Sequence, residues 1–293
     1  MSAILYYLTL PFLYLVSILP RPLLYLLSDF IYVLVYTVFG YRKKVVTSNL
    51  LNAFPDKTTE EINKIRRDFY HYFCDLSLET IKTLSISPAA TRQYFDEGDL
   101  SVLEHYFREK KSVIIVMGHL GNWELAGAYF SQMSLHQLYV IYHPLANKHF
   151  DRMFYRMRTR SGIKLYAMKE IFRGMLRNRN KLTATAFIAD QTPSPGSAYW
   201  MKFLNQDTPV FKGTEAIARK LGYPVVYLSV IRQKRGRYRL AAELLAEHPD
   251  RFEENQLTEL HTKRLERDII DHPETWLWSH RRWKHKRPTS HGG

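Results

Sequence analysis

The chain carries a single cysteine, Cys74, in 293 residues. One cysteine excludes an intramolecular disulfide and fits a reducing compartment. Cys and His at zinc-site spacing are missing, as are a Gly-x-Gly-x-x-Gly stretch and a Gly-Lys-Ser/Thr phosphate loop. The sequence therefore gives no reason to expect a metal or a nucleotide cofactor. A Gly-x-Ser-x-Gly elbow is missing too, and Cys74 lies in a helical pattern away from other reactive groups. An attacking atom is thus expected from a substrate rather than from the protein. Acidic charge is scarce: 28 Asp and Glu stand against 42 Lys and Arg, a formal net charge of +14. Such an excess attracts polyanions, whether nucleic acid, an anionic membrane face or phosphorylated substrates.

Charge of either sign is nearly absent from residues 1–41, where only Arg21 and Asp29 occur. Two apolar runs, Ala3–Leu19 and Leu23–Phe39, flank Pro20-Arg21-Pro22. As helix each spans roughly 25 Å, just short of a comfortable bilayer crossing. Their tyrosines suit a water–lipid interface. There is no basic n-region and no Ala-x-Ala site, so a signal peptide is not expected. Arg42-Lys43-Lys44 follows directly and favours a cytoplasmic position for what comes next. Residues 1–41 are read as a membrane anchor, spanning or lying in one leaflet, and 42–293 as the domain it carries. A buried pair of core helices is the competing reading.

The stretch that organises the domain is Val113–Met117 followed by Gly118-His119-Leu120-Gly121-Asn122-Trp123-Glu124. It reads as a buried strand, a tight Gly-rich turn and the first turn of a helix. On one helix, residues five apart sit about 140° from each other, so His119 and Glu124 would diverge. The turn also carries Asn122; with His119 at the strand end and Glu124 in the first helical turn, those two can face one crevice. Crevices beyond the carboxyl ends of strands are where open α/β sheets bind ligands. A histidine takes a proton from a hydroxyl, and a carboxylate fixes its tautomer. Taken alone, His-x-x-x-x-Glu better suits a core histidine and a glutamate complementing a helix dipole; the rest of the chain reverses that preference.

The remaining pattern alternates strands and helices, as an α/β domain does. Thr58-Thr59-Glu60-Glu61 looks like a helix start, with helical spacing from Ile62 to Leu84. Short helices are expected at Arg92–Tyr94 and Leu100–Phe107. Strands are expected at Gln137–Tyr142, Thr183–Ala189 and Pro224–Ile231, the last turning at Gln233–Gly236 into Arg237–Leu244. Helices are expected at His149–Arg160, Lys169–Asn178, Gly213–Leu221 and Gln256–Asp271. Arg158 and Arg160 end one of these helices, where arginine forks suit phosphate or carboxylate binding or an oxyanion; a solvated basic face is the plainer reading. Asp190-Gln191 ends a strand that would open on the same crevice as His119. Near the end, Trp276, Trp278 and Trp283 interleave with His280, Arg281, Arg282 and Lys284. That mixture suits base stacking or a membrane interface, while period-2 Trp276 and Trp278 suit a core.

Taken together, these residues resemble the bacterial lipid A biosynthesis (late) acyltransferases, lauroyl and myristoyl transferases of endotoxin assembly. The likeness runs in order along most of the chain. It covers the apolar start, Arg42-Lys43-Lys44 with Asn49-Leu50, Gly118–Glu124, Tyr142-His143-Pro144, Arg158–Gly162, Ala189-Asp190-Gln191 and Pro273–Lys284. The His-x-x-x-x-acid motif alone is shared with glycerol-phosphate acyltransferases. The resemblance implies a mixed central sheet flanked by helices, on an apolar helical anchor at the inner membrane. It implies transfer of a fatty acyl chain from an acyl carrier protein thioester (or acyl-CoA) to a hydroxyl of a membrane glycolipid. His119 is then the general base and Glu124 its charge partner, with one of Arg158 and Arg160 a substrate or transition-state ligand; Asn122 and Asp190 are further candidates for substrate contact. Because relatives that acylate phosphatidylinositol mannosides share the pattern, the acceptor stays open. No cofactor, metal or nucleic acid is expected; a basic nucleic-acid- or membrane-surface-binding protein is the non-enzyme alternative.

Overall fold

In the computed structural model, residues 3–133 and 135–287 are described. The chain begins with α1 (Ala3–Ile18) and α2 (Arg21–Tyr32), the latter extended by a π-helical stretch, Val33–Val38. Arg21–Val38 is long and apolar enough to cross a membrane, with a mean hydropathy of 1.3. Next come α3 (Lys43–Ala53) and α4 (Thr59–Lys82). The expected helix start at Thr58 is a complete capping box: Thr58 accepts from the Glu61 amide, and Glu61 accepts from the Thr58 amide. A 3-10 turn at Ala89–Tyr94 and α5 (Ser101–Arg108) lead to β1 (Val113–Met117), buried throughout.

After β1 the chain forms α6 (Trp123–Phe130), β2 (Gln137–Tyr142), α7 (Lys148–Arg160) and β3 (Lys164–Ala167). Then follow α8 (Ile171–Arg177), β4 (Thr183–Ile188), the hairpin β5 (Tyr199–Phe203) with β6 (Gln206–Val210), and α9 (Gly213–Leu221). The last elements are β7 (Val225–Lys234), β8 (Arg237–Ala246) and α10 (Gln256–Asp271). The main sheet runs β3-β2-β4-β1-β7-β8. Its first five strands are parallel and β8 is antiparallel, so the sheet is mixed as expected. Strand β3 and the hairpin β5–β6 were not foreseen. Both are short, and their burial comes from neighbours rather than from a period of their own.

Apolar clusters cover both faces of the sheet. Ile115, Leu138, Ala186 and Leu228 pack with α6 on one face, and Ile114, Val116, Phe187 and Ala218 of α9 pack on the other. Helices leaving β1 and β4 thus take opposite sides, which opens a crevice at the carboxyl ends of those strands.

The segment read as an anchor is docked on the domain rather than tethered to it. In α2, Ser28 donates to Asp75 at 2.7 Å and Tyr25 to Glu79 at 2.8 Å, both acceptors on α4. Arg235, in the β7–β8 turn, clamps Asp29 and Asp75 at 2.7 Å each. The opposite faces are bare: Ile4, Leu8, Phe12 and Leu15 are 61–72% exposed along one stripe of α1.

Candidate active site

The turn after β1 is shaped by two glycines. Gly121 has φ +63°, and a Cβ there would meet the Val230 carbonyl; a Cβ on Gly118 would strike Leu265. Backbone can therefore pass close under the sheet end only with glycine at both places. The Gly121 amide donates to the Thr275 carbonyl at 3.2 Å, and its carbonyl accepts from Tyr72 at 2.5 Å.

His119 leaves this turn two residues beyond the end of β1. Asp190 leaves β4 two residues beyond the residue registered with that end, since Met117 pairs with Ile188. The adjacency of β1 and β4 therefore brings the two side chains together. Nδ1 of His119 lies 2.6 Å from Oδ1 of Asp190, and the His119 amide donates to Oδ2 at 2.8 Å. The Trp276 indole also donates to Oδ2, at 2.8 Å. Burial alone would raise the Asp190 pKa. The His119 ring and the donors around the carboxylate outweigh that and push it down to about 2. An ionised Asp190 at this distance holds the proton on Nδ1 and leaves Nε2 as an acceptor. Nε2 faces Gln191, whose amide nitrogen is 3.3 Å away, and the Trp123 ring stands edge-on at 4.8 Å.

Glu124 corrects one expectation. It occupies the first turn of α6 and lines the same cavity as His119, as foreseen. Its carboxylate, however, is gripped by Arg158: Nε donates to Oε2 at 3.0 Å and Nη2 donates to Oε1. The imidazole's partner is Asp190, because β4 inserts beside β1 and reaches Nδ1 directly. Burial disfavours the Arg158 charge, but Glu124 overrides it and raises the guanidinium pKa above its ordinary value.

Two other expected substrate contacts are structural. Asn122 is fully buried, caps α6 through the Leu125 amide at 3.0 Å, and donates to Glu79 at 2.7 Å. Arg160 turns away and donates to the carbonyls of Leu84, Ser85 and Ile86, closing the chain end that follows α4. Of the two arginines, Arg158 is the one at the cavity. Asp190, expected toward substrate, instead holds the histidine. The Trp and Arg cluster is split: Trp276 and Trp278 are core residues, not a strand, and Arg282 is 1% exposed, whereas Arg281 and Lys284 are exposed. Trp276 as an Asp190 ligand carries no sequence signal beyond the tryptophan itself.

The cavity holds about 710 Å³, within the range of small-molecule sites. His119, Glu124, Arg158 and Gln191 line one part of it, and Ile115, Phe130, Leu138, Ala186 and Leu228 line the interior between sheet and α6. Cys74 is buried outside it, and burial pushes its thiol up to about 12. Among the described residues no group of His, Cys, Asp and Glu fits a metal ion.

Fold and site together define an α/β enzyme that can hold a long apolar group against a histidine. The chain belongs to the bacterial lipid A biosynthesis acyltransferase family, which it matches over residues 1–285. It is similar to the lipid A biosynthesis palmitoleoyltransferase of Escherichia coli (strain K12), 27% identical over 270 residues, covering 91% of this chain and 86% of that protein. The lipid A biosynthesis acyltransferase of Shigella flexneri matches to the same extent, 27% over 270 residues.

Proposed function

We propose that this acyltransferase of lipid A biosynthesis moves a fatty acyl chain from an acyl carrier protein thioester to a hydroxyl of a membrane glycolipid precursor, without an acyl-enzyme. The observation that carries the reading is the Nε2 of His119, fixed by Asp190 and opening on an apolar cavity of about 710 Å³. The acyl chain lies in the apolar interior, with its thioester carbonyl at the charged end. The acceptor hydroxyl gives its proton to Nε2 as its oxygen bonds to the carbonyl carbon. The C–S bond then breaks and the carrier leaves as a thiol, reprotonated from the imidazolium. Asp190 stabilises that imidazolium. Arg158 supplies charge for the developing oxyanion through Nη1, which stands outside its two bonds to Glu124. Glu124 sets the fork of Arg158 rather than the tautomer of His119. The thioester is already activated, so alignment of two substrates suffices.

We place α1 and α2 in the plane of one leaflet of the bacterial inner membrane, with the domain on the cytoplasmic side. The inner face of α2 is tied to Asp75, Glu79 and Arg235, and the end of α1 to Lys82 and Ser85 through the Ser17 carbonyl, while the outer face of α1 carries the bare apolar stripe, as an interfacial anchor requires. The +14 charge of the chain then meets an anionic lipid surface. The test presents purified protein with acyl carrier protein thioesters, acyl-CoA and an under-acylated lipid A precursor, and reads products by mass spectrometry. Mass gain on the glycolipid from the carrier thioester supports the reading; gain on another lipid only, or from none, refutes it.

A further inference from the structure

The closing motif Trp278-Ser279-His280-Arg281-Arg282-Trp283-Lys284 is left with one residue unexplained, Arg282. Its side chain is 1% exposed, and its Nε and Nη1 have no hydrogen-bond partner in the protein. His261 of α10 is 3% exposed, and its Nε2 is likewise without one. Both line a small cavity of about 10 Å³ behind the active site, and Asp190 is a third wall. That is about the space of one water molecule. Leaving a guanidinium buried with free N–H groups is costly.

We infer that one buried water bridges Arg282, His261 and Asp190, and that through it Arg282 acts as a positioning residue that keeps the His119–Asp190 pair in its base-competent charge state. The inference rests on His119 being the general base. The hydrogen bonds of such a water can each be assigned. Thr262 Oγ1 donates to the Thr258 carbonyl at 2.7 Å, so toward His261 Nδ1, 3.5 Å away, it accepts. Nδ1 then carries the proton and Nε2 is an acceptor. Burial pushes the His261 pKa down to about 4, which keeps the ring uncharged near neutrality. An ionised carboxylate offers about four acceptor sites, and His119 and Trp276 fill three of those on Asp190. The water accepts from Arg282 and donates to His261 Nε2 and to the fourth site. Burial also lowers Arg282 to about 10, against the pull of Asp190, so it remains a cation at neutral pH.

A cation behind Asp190 favours the carboxylate and opposes a second positive charge on the imidazole. Other groups face the pair as well. Glu124 and Arg158 neutralise each other from α6 and α7. Tyr227 of β7 is held protonated by burial, and burial also lowers His280, near which Lys284 stands. Arg282 is therefore the charge whose removal changes the balance.

The experiment follows the imidazole carbon signals of the full chain in detergent micelles by NMR, labelled at histidine, with His119→Gln to assign the resonance. In Arg282→Met the pair should take up its proton at a pH higher by about half a unit or more, and Arg282→Lys should return it toward wild type. An unchanged midpoint in a folded Arg282→Met, or a Lys variant that behaves as Met does, overturns the inference. Should Arg282→Met fail to fold, a crystal structure of the wild type that resolves waters decides alone. One water within hydrogen-bond distance of both Arg282 and Asp190 upholds the bridge; direct contact between them, or a dry cavity, overturns it. The readout needs no turnover, so an inactive His119 reading and a failed Arg282 reading are told apart.

Discussion

Asp190→Asn is the substitution that separates the His–Asp site from a His–Glu one. The carboxylate now accepts from Nδ1 of His119 at 2.6 Å, from the His119 amide and from Trp276. Asparagine keeps the shape, but its amide can donate to Nδ1, which transfers the ring proton to Nε2 and removes the base. Loss of a positioned base costs about 10²–10⁴-fold in rate, and the expected fall in turnover lies in that range. There is a stability counterpart. Holding the carboxyl at about 2 instead of its ordinary 3.8 corresponds to roughly 2–3 kcal/mol favouring the folded, ionised form. Because the folded value is lowered, that contribution is fully present above a pH of about 4. It drains away as pH falls toward 2. Asp190→Asn should melt earlier at neutral pH and lose part of the wild type's decline in stability over that acid window. Acyl transfer by mass spectrometry and thermal melts across pH measure both. If Asp190→Asn loses less than about tenfold in rate while Glu124→Gln is inactive, the pairing argued here is wrong.

Four further outcomes are expected. His119→Ala should abolish most transfer, and combining it with Asp190→Asn should cost little more, since the two act as one unit; fully additive losses would falsify the pairing. Incubation with acyl donor and no acceptor should leave the intact protein mass unchanged, because Cys74 is buried and protonated; an acylated protein that discharges to acceptor at the turnover rate would end the direct-attack mechanism. Glu79→Ala leaves the donors of Tyr25, Tyr238 and Asn122 without an acceptor and should cost at least about 3 kcal/mol in denaturant unfolding, whereas an unchanged midpoint contradicts the network. Leu8→Lys with Phe12→Glu, on the bare stripe of α1, should shift the protein toward the soluble fraction without changing its melting temperature, and unaltered membrane partition rules out this face as the anchor.

What could be read without coordinates was local. The capping box at Thr58, the strand–turn–helix around His119 and the helices Gly213–Leu221 and Gln256–Asp271 follow from periodicity, glycine placement and caps, all of which act over a few residues. The turn alone put His119 and Glu124 on one crevice, because a strand end and a first helical turn point the same way. The partner of the imidazole was not legible. Asp190 lies 71 residues downstream and reaches Nδ1 only because β4 pairs with β1 while β2 is pushed one place outward. Strand order is a long-range choice made by packing, and it fixed which acid meets the histidine. The same holds for Arg158 against Arg160: two residues apart on one helix, they point about 200° apart, and only the neighbours show that one finds Glu124 and the other the backbone after α4. The apolar start was plain from its missing charge, yet its docking was not. Ser28 and Tyr25 look like ordinary interface residues until Asp75 and Glu79 are folded beneath them. Sequence determined which short pieces form and which groups can do chemistry; tertiary structure decided who faces whom, since pairing across a sheet is set by burial summed over the whole core.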